Sequence, residues 1–177
     1  MRILLFALVL SLALALPFRS SSMNSLNSNR PLNVSMQSST KQATCRTRDH
    51  LSSDDFASVM RTIQDGWNEG NARKSADCFT QDAIFSSPPS RGRQGRENLY
   101  EYFGGSKGLA VPMKITWHQL VFDPARQIGM GEYTYQYHLQ THGVVVVKFS
   151  HGLISNWREY SVPSDVPWEK FVGSNNF

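Results

Sequence analysis

The second half of the chain consists of apolar segments whose connections are too short to hold a helix. Four segments are rich in aromatic and β-branched residues or alternate apolar with polar residues, which is typical of strands. They are residues 113–122, 128–139, 144–149 and 153–162. Tight turns are predicted at Asp123-Pro124, Thr141–Gly143 and His151-Gly152. Because strands joined by such short turns pair antiparallel, the sequence predicts an antiparallel meander here.

The first half of the folded region is predicted to be mainly helical. Ser52 or Ser53 can cap a helix that continues to Trp67 and stops at Gly70-Asn71. Shorter helices are expected over residues 73–79 and 96–103, with a short strand over residues 82–86 between them. Helices first and a meander afterwards indicate the α+β class: N-terminal helices packed on a curved, mainly antiparallel sheet, forming a cone with a central pocket.

The positive charge of the chain is confined to its N-terminal part. The pI is near 9.2, but residues 1–50 hold six basic residues and one acidic residue, whereas residues 51–177 hold 12 basic and 13 acidic residues. A nucleic-acid-binding domain needs a concentrated basic face. We therefore expect residues 51–177 to bind no nucleic acid.

The N-terminal part has the composition of a targeting leader. Residues 3–16 form an unbroken apolar run, which has the length of a signal-peptide core and is too short for a membrane span. Residues 17–48 contain no acid and are rich in Ser, Asn and basic residues, as in a disordered or transit-peptide-like segment. We predict a signal peptide over residues 1–16, a leader over 17–50, and a mature domain over 51–177 without a membrane span. The predicted destination of the protein is either the outside of the cell, by secretion, or a plastid enclosed by the endomembrane system.

The positions of the cysteines and histidines predict neither a disulfide framework nor a metal site. Cys45 falls in the predicted leader and Cys78 would then stand alone. His138 and His142 are four residues apart, but a strand and its turn do not converge such a pair, and no third ligand is evident. We expect no metal and no cofactor.

Four blocks of the sequence carry a resemblance to a known family. The blocks are Trp67-Asn68-Glu69-Gly70-Asn71, residues 78–85, Gly95-Arg96-Glu97 and residues 151–160. In order and spacing they resemble the SnoaL-like domains of the nuclear transport factor 2-like superfamily, over roughly residues 51–172. The resemblance implies the conical α+β fold. It does not fix a function, because this superfamily includes dehydratases, isomerases, cyclases, epoxide hydrolases and non-catalytic members.

Glu159 is the first candidate catalytic residue. In SnoaL-like cyclases and related epoxide hydrolases, the acid of the Trp-Arg-acid-Tyr block points into the cone and acts as acid or base. The resemblance implies that role for Glu159. A carboxyl desolvated in an apolar pocket has a raised pKa and can exchange protons near neutrality. The alternative is a strand-end glutamate paired with Arg158 or Lys148.

His118 is the second candidate, as a proton shuttle that assists Glu159. Strict alternation along residues 114–122 places it on one face with Leu120 and Phe122, and places Trp117 on the other. A histidine opposite Glu159 across a pocket would form an acid/base dyad. A hydrogen-bonded structural histidine is the alternative.

Seven further residues are predicted to line the pocket. They are Trp67, Phe85, Trp117, Glu132, Tyr133, Trp157 and Tyr160. By our placement, Tyr133 and Tyr135 occupy positions where the related epoxide hydrolases supply an arginine and an aspartate, which argues against epoxide hydrolysis.

Two functional hypotheses follow. In the first, the domain binds a small apolar metabolite and possesses, if it is an enzyme, a cofactor-free isomerase, dehydratase or cyclase activity. In the second, it is a non-catalytic dimerisation or scaffold module joined through an exposed sheet face. Both are compatible with a homodimer.

Overall fold

A computed structural model describes residues 45–89, 92–111 and 113–176 of the chain. The predicted signal peptide over residues 1–16 and nearly all of the leader over 17–50 lie outside these residues. The positions of both segments and the compartment therefore stay predictions.

The N-terminal half forms three helices. Helix α1 spans Ser53–Glu69, and its first turn is closed by a reciprocal cap between Ser52 and Asp55. It ends at Gly70, whose φ of 72° is the left-handed conformation that glycine adopts without steric cost. Helix α2 spans Ala72–Ala76 and helix α3 spans Arg96–Tyr102. One stripe of α1 is buried: Phe56, Val59, Met60, Ile63 and Trp67.

Six strands form one sheet. In chain order they are β1 (Phe79–Ser86), β2 (Arg93–Gln94), β3 (Lys114–Asp123), β4 (Ile128–Gln136), β5 (Gln140–Ser150) and β6 (Leu153–Pro163). The spatial order is β2-β1-β6-β5-β4-β3. The meander β3–β6 is antiparallel, and β1 joins it parallel to β6. The predicted α+β class and the mainly antiparallel sheet are confirmed.

The two faces of this sheet differ, and we call them the inner face and the outer face. The inner face carries Tyr133, Val145, Val147, Trp157 and Glu159, and the helices α1 and α3 close the core over it. The outer face carries the alternate residues of the same strands: Glu132, Thr134, His142, Val144 and Tyr160.

A bulge in β3 changes the predicted faces of that strand. Trp117 pairs with Tyr133 but Gln119 pairs with Glu132, so His118 is an extra residue without a partner opposite it. Ile115 and Trp117 pack toward the core before the bulge, and Leu120 and Phe122 do so after it. The prediction that His118 shares a face with Leu120 and Phe122 is wrong, because one inserted residue reverses the alternation.

A fourth helix was not predicted. Helix α4 spans Trp168–Val172. The ring of Trp168 stacks on His118 at 3.8 Å, and Phe171 stacks on His142 at 5.3 Å. Since His142 belongs to the outer face, α4 lies over that face, opposite the other helices.

The cysteines correct another prediction. Cys45 and Cys78 form a disulfide, with their Cα atoms 5.0 Å apart. The two cysteines are 33 residues apart in sequence. Their pairing could not be predicted from that spacing, because it is the fold that brings the end of α2 beside residue 45. Nearby, the Arg48 N–H donates to the His151 carbonyl at 3.0 Å, and the Arg48 guanidinium pairs with Asp55. Residues just before position 50 therefore contact the folded domain.

Candidate active site

A small cavity opens on the inner face between the sheet and helices α1 and α3. Its volume is about 160 Å³, and half of its lining residues are aromatic. Glu159 of β6 provides the carboxyl that lines it. The full lining is Trp67, Phe85, Ser87, Tyr102, Phe103, Met113, Ile115, Tyr133, Tyr135, Thr141, Glu159 and Ser161.

Three neutral hydrogen-bond donors surround the Glu159 carboxyl. The indole Nε1–H of Trp157 donates to Oε2 at 2.9 Å, and the hydroxyls of Ser87 and Tyr133 also hydrogen-bond to the carboxyl. Burial raises the pKa of Glu159 above its usual range, although these three donors partly oppose the effect. The site thus favours a protonated carboxyl more than water does.

The structure does not pair Glu159 with a basic side chain. Lys148 and Arg158 are both exposed, and among the described residues no ion pair involves Glu159. The alternative interpretation of Glu159, as a strand-end glutamate neutralised by Arg158 or Lys148, is therefore wrong.

Three tyrosines of the cavity are held in their neutral form. Burial raises the pKa of Tyr133, Tyr135 and Tyr102, and the negative charge of Glu159 raises each of them further. The Arg93 guanidinium lies 3.8 Å above the ring of Tyr102 and acts in the opposite direction on that residue. Neutral phenols can donate hydrogen bonds to an oxygen of a bound molecule.

The tertiary structure brings together part of the predicted pocket. Trp67, Phe85 and Tyr133 line it with Glu159. Trp157 lies behind them, almost fully buried, and reaches the site through its indole N–H. Trp117 packs against Tyr133 with its ring centre 5.6 Å away, and its own N–H donates to the Met60 carbonyl.

Glu132 and Tyr160 are not in this pocket. The register pairs Glu132 with Val144 and Val144 with Tyr160, which places all three on the outer face. There they line a groove of about 670 Å³ beside α4. The prediction failed because adjacent strand residues point to opposite faces, and both residues directly neighbour inner-face residues in sequence.

His118 does not reach Glu159. Its Nε2 lies 2.8 Å from the Thr134 hydroxyl on the outer face, and its ring is covered by Trp168. Burial lowers the pKa of His118, the charge of nearby His142 lowers it further, and Glu169 opposes them. The proposed dyad of His118 and Glu159 is therefore not formed, because the β3 bulge turns the imidazole outward.

Sequence reasoning missed several residues of the pocket. Tyr135 and Ser161 lie two positions beyond Tyr133 and Glu159 on the same strands, so alternation could have identified them. Tyr102 and Ser87 come from α3 and from the end of β1. No local pattern connects those segments with β6. Gly143 is required too, since the Tyr133 ring lies where a side chain at position 143 would have to stand.

The described residues contain no group of three or more His, Cys, Asp or Glu side chains placed to hold a metal ion. Within those same residues, no helix is long and apolar enough to cross a membrane.

Comparison with known proteins finds significant similarity in the structure only. No protein-family profile matches the sequence, and no curated protein is significantly similar to it. A protein of unknown function with a cystatin-like fold from Methylobium petroleophilum PM1 superposes with a TM-score of 0.58 at 22% identity, covering 67% of this chain and 83% of that one.

Two structures with assigned activities are similar to a comparable degree. A putative ketosteroid isomerase from Kribbella flavida DSM 17836 has a TM-score of 0.54 at 16% identity, covering 68% of this chain and 84% of that one. An LEH-like epoxide hydrolase from M. tuberculosis has a TM-score of 0.54 at 13% identity, covering 62% and 84%.

Solved structures of this shape thus include isomerases, epoxide hydrolases, a cyclase-like enzyme and proteins of unknown function. The fold is common to them while the chemistry differs. With its three N-terminal helices closing a mainly antiparallel six-stranded sheet around an inner-face cavity, this chain has the nuclear transport factor 2-like fold.

Proposed function

We propose that this protein binds a small, largely apolar molecule in the inner-face cavity and transfers a proton on it with Glu159, without a cofactor. The observation that carries the proposal is a carboxyl buried among aromatic walls and hydrogen-bonded only to neutral donors. Burial raises the pKa of Glu159, and an acid whose pKa is closer to neutrality is a more effective proton donor and acceptor.

The cavity limits the size and polarity of the ligand. Its volume of about 160 Å³ is below the roughly 300–1,000 Å³ of pockets for drug-sized ligands. Eight of its lining residues are aromatic or aliphatic. A compact apolar molecule with one or two oxygen atoms fits these walls.

The chemistry would be an internal proton transfer. The Glu159 carboxylate removes a proton from one carbon beside a carbonyl and returns it to another, so the reaction needs no cosubstrate. Charge that develops on the carbonyl oxygen would be stabilised by the phenol of Tyr135, because the Tyr133 hydroxyl already hydrogen-bonds to Glu159. Such an activity is of the isomerase type; the dehydratase and cyclase types use the same acid/base group.

The epoxide-hydrolase alternative has less support. That chemistry activates a water molecule with additional charged groups, and Tyr133 and Tyr135 stand where the sequence resemblance would place an arginine and an aspartate. Among the described residues that line the cavity, Glu159 is the sole acid and there is no arginine.

Glu159→Gln tests the proposal, with Glu132→Gln as the matched control on the outer face. Small ketones and enones would be screened for binding by native mass spectrometry and for exchange of carbon-bound hydrogen by NMR in D₂O. We expect Glu159→Gln to reduce exchange about 10²–10⁴-fold and Glu132→Gln to leave it unchanged. Equal exchange in both variants would refute the role of Glu159.

The pH dependence of stability gives a test that needs no ligand. Because the pKa of Glu159 is raised in the folded state, its contribution to stability is fully present below the ordinary carboxyl pKa and is lost as pH rises through the folded value. Glu159→Gln should therefore gain stability relative to wild type as pH increases, measured by urea unfolding. A difference that is independent of pH would contradict the buried, proton-exchanging carboxyl.

A scaffold function is the second candidate, and one observation favours it. Exposed apolar side chains lie on the outer face of β4 and β6: Met130 is 48% exposed, Tyr160 51% and Val162 69%. A second copy of the chain could cover this surface as a homodimer. Sedimentation of wild type and Val162→Asp would test it: a wild-type dimer that the variant converts to a monomer supports the interface.

We also propose that the protein enters the secretory pathway and is secreted or delivered to a plastid enclosed by the endomembrane system. The disulfide is compatible with an oxidising compartment. Immunolocalisation together with N-terminal sequencing of the protein from its source cells would test both the compartment and the position of cleavage.

A further inference from the structure

The three tryptophans of the inner-face core use their indole N–H groups differently. Trp117 donates to the Met60 carbonyl at 2.9 Å, and Trp67 has a buried Nε1 without a hydrogen-bond partner. Trp157 donates to Glu159. Of these three tryptophans, only Trp157 donates a hydrogen bond to the Glu159 carboxyl, although Trp67 also lines the cavity.

The orientation of the Trp157 indole is fixed by its packing. Trp157 is 1% exposed, and its ring stacks on Phe85 with an interplanar angle of 8° and a centroid distance of 5.7 Å. The rings of Trp67 and Trp117 pack against it at 5.7 and 6.2 Å. With the ring held on several sides, the N–H remains directed at the carboxyl two residues further along β6.

An indole N–H can only donate a hydrogen bond. The oxygen that it contacts, Oε2, must therefore act as an acceptor. In the protonated carboxyl the carbonyl-type oxygen is the better acceptor, so it occupies Oε2 and the acidic proton is left on Oε1. Turning the protonated carboxyl over would place its hydroxyl oxygen, a poorer acceptor, against the buried indole N–H and so weaken that hydrogen bond.

We infer that Trp157 is a positioning residue that holds the Glu159 carboxyl in one orientation, so that Oε1 is the oxygen that gives and accepts the proton. The inference rests on the proposed function, and it adds a direction to it: a ligand must present its reacting carbon toward Oε1. Trp157 also lowers the pKa of Glu159, because its N–H stabilises the ionised carboxylate.

Trp157→Phe tests the inference, with Trp67→Phe as the matched control. Both changes remove an indole N–H from the same aromatic core, but only the first removes a donor to Glu159. The readout is the titration midpoint of Glu159 in ligand-free protein, followed by the carboxyl stretch of ¹³C-labelled glutamate in infrared spectra, with Glu159→Gln identifying the band. Loss of a hydrogen bond to a charged group should move the midpoint upward by about one pH unit or more in Trp157→Phe, and Trp67→Phe should leave it in place.

A second measurement uses the wild-type protein and so does not depend on the folding of a variant. The indole ¹H–¹⁵N resonance of Trp157 should shift with the same midpoint as Glu159, whereas the resonance of Trp67 should show a markedly smaller change. Equal midpoints in both Phe variants, or a Trp157 resonance indifferent to Glu159 ionisation, would overturn the positioning role. An ordinary carboxyl midpoint for wild-type Glu159 would instead contradict the proposed function, so the two failures are distinguishable.

Discussion

The inner and outer faces of the sheet each bury a titratable group against aromatic rings, but with opposite consequences. On the inner face, burial raises the pKa of Glu159 and favours its protonated form. On the outer face, burial lowers the pKa of His118 and favours its deprotonated form. Desolvation disfavours the charged form in both cases. One sheet thus shifts the pKa of an acid and of a base toward their neutral forms on opposite faces, in two places that do not contact each other.

The outer face carries a chain of hydrogen bonds that joins two histidines. His142 Nε2 contacts the Val166 carbonyl at 2.7 Å, so it must donate. In a neutral ring His142 Nδ1 then accepts from the Thr134 hydroxyl at 3.0 Å. The Thr134 oxygen in turn accepts from His118 Nε2 at 2.8 Å. This chain, which we call the histidine chain, links β3, β4 and β5 to the segment that precedes α4.

The largest expected difference between the faces is in packing. Trp157→Ala on the inner face should lower the free energy of unfolding by about 3–5 kcal/mol, because a buried aromatic side chain is removed. Trp168→Ala on the outer face should cost about 1–2 kcal/mol, since that ring is half-buried. Urea unfolding measures both. Equal losses would show that α4 is as much a part of the core as β6.

The disulfide extends the inner-face core toward the N-terminal segment, because Cys45 packs against that core. Removing it with Cys45→Ser should cost about 3–4 kcal/mol for a loop of this length. Thermal unfolding with and without reductant provides the measurement and its control: reductant should destabilise wild type and leave the variant unaffected. If reductant did not change the unfolding temperature of the wild-type protein, the Cys45–Cys78 disulfide would not stabilise the fold.

Thr134→Val should loosen the outer face without disturbing the inner one. The change removes the hydroxyl that joins His118 to His142 and leaves His142 Nδ1 without its donor, at a cost of about 1–2 kcal/mol. Amide hydrogen exchange should rise in residues 166–172 and stay constant around Glu159. Thr116→Val is the control, because Thr116 is exposed on the neighbouring strand opposite Thr134. Faster exchange around Glu159 would show that the two faces are coupled.

The smallest expected effect is a change in the pH dependence of stability. The pKa of His118 is lowered in the folded state, by burial first and then by His142, against Glu169. Its contribution is therefore present above the ordinary histidine pKa of about 6.5 and is lost as pH falls through the folded value. His118→Gln should flatten this acid-side loss, and His50→Gln, at an exposed position, should not. The expectation is contradicted if the two variants lose stability alike as pH falls.

The sequence was sufficient for the fold class and for part of the site. Alternation and short turns are local properties, so they identified the strands of the meander. The role of Glu159 was instead implied by the resemblance of residues 151–160 to the SnoaL-like domains. The pocket prediction failed for Glu132 and Tyr160, which were chosen for their chemistry although alternation assigns them to the other face.

The remaining features depend on contacts between distant segments. Nothing local in the sequence indicates that β1 lies parallel to β6, that Cys45 meets Cys78, or that Tyr102 and Ser87 enter the cavity. Each depends on how the whole chain packs to bury apolar surface, and this cannot be read from a short segment.

His118 shows the division most clearly. The sequence determined that this part of the chain is a strand with a histidine in it, because strand propensity and alternation act over a few residues. Only the tertiary structure decided the face on which the histidine lies. Pairing β3 with β4 so that Trp117 and Leu120 both reach the core requires one extra residue between them, and that bulge turns the imidazole away from Glu159.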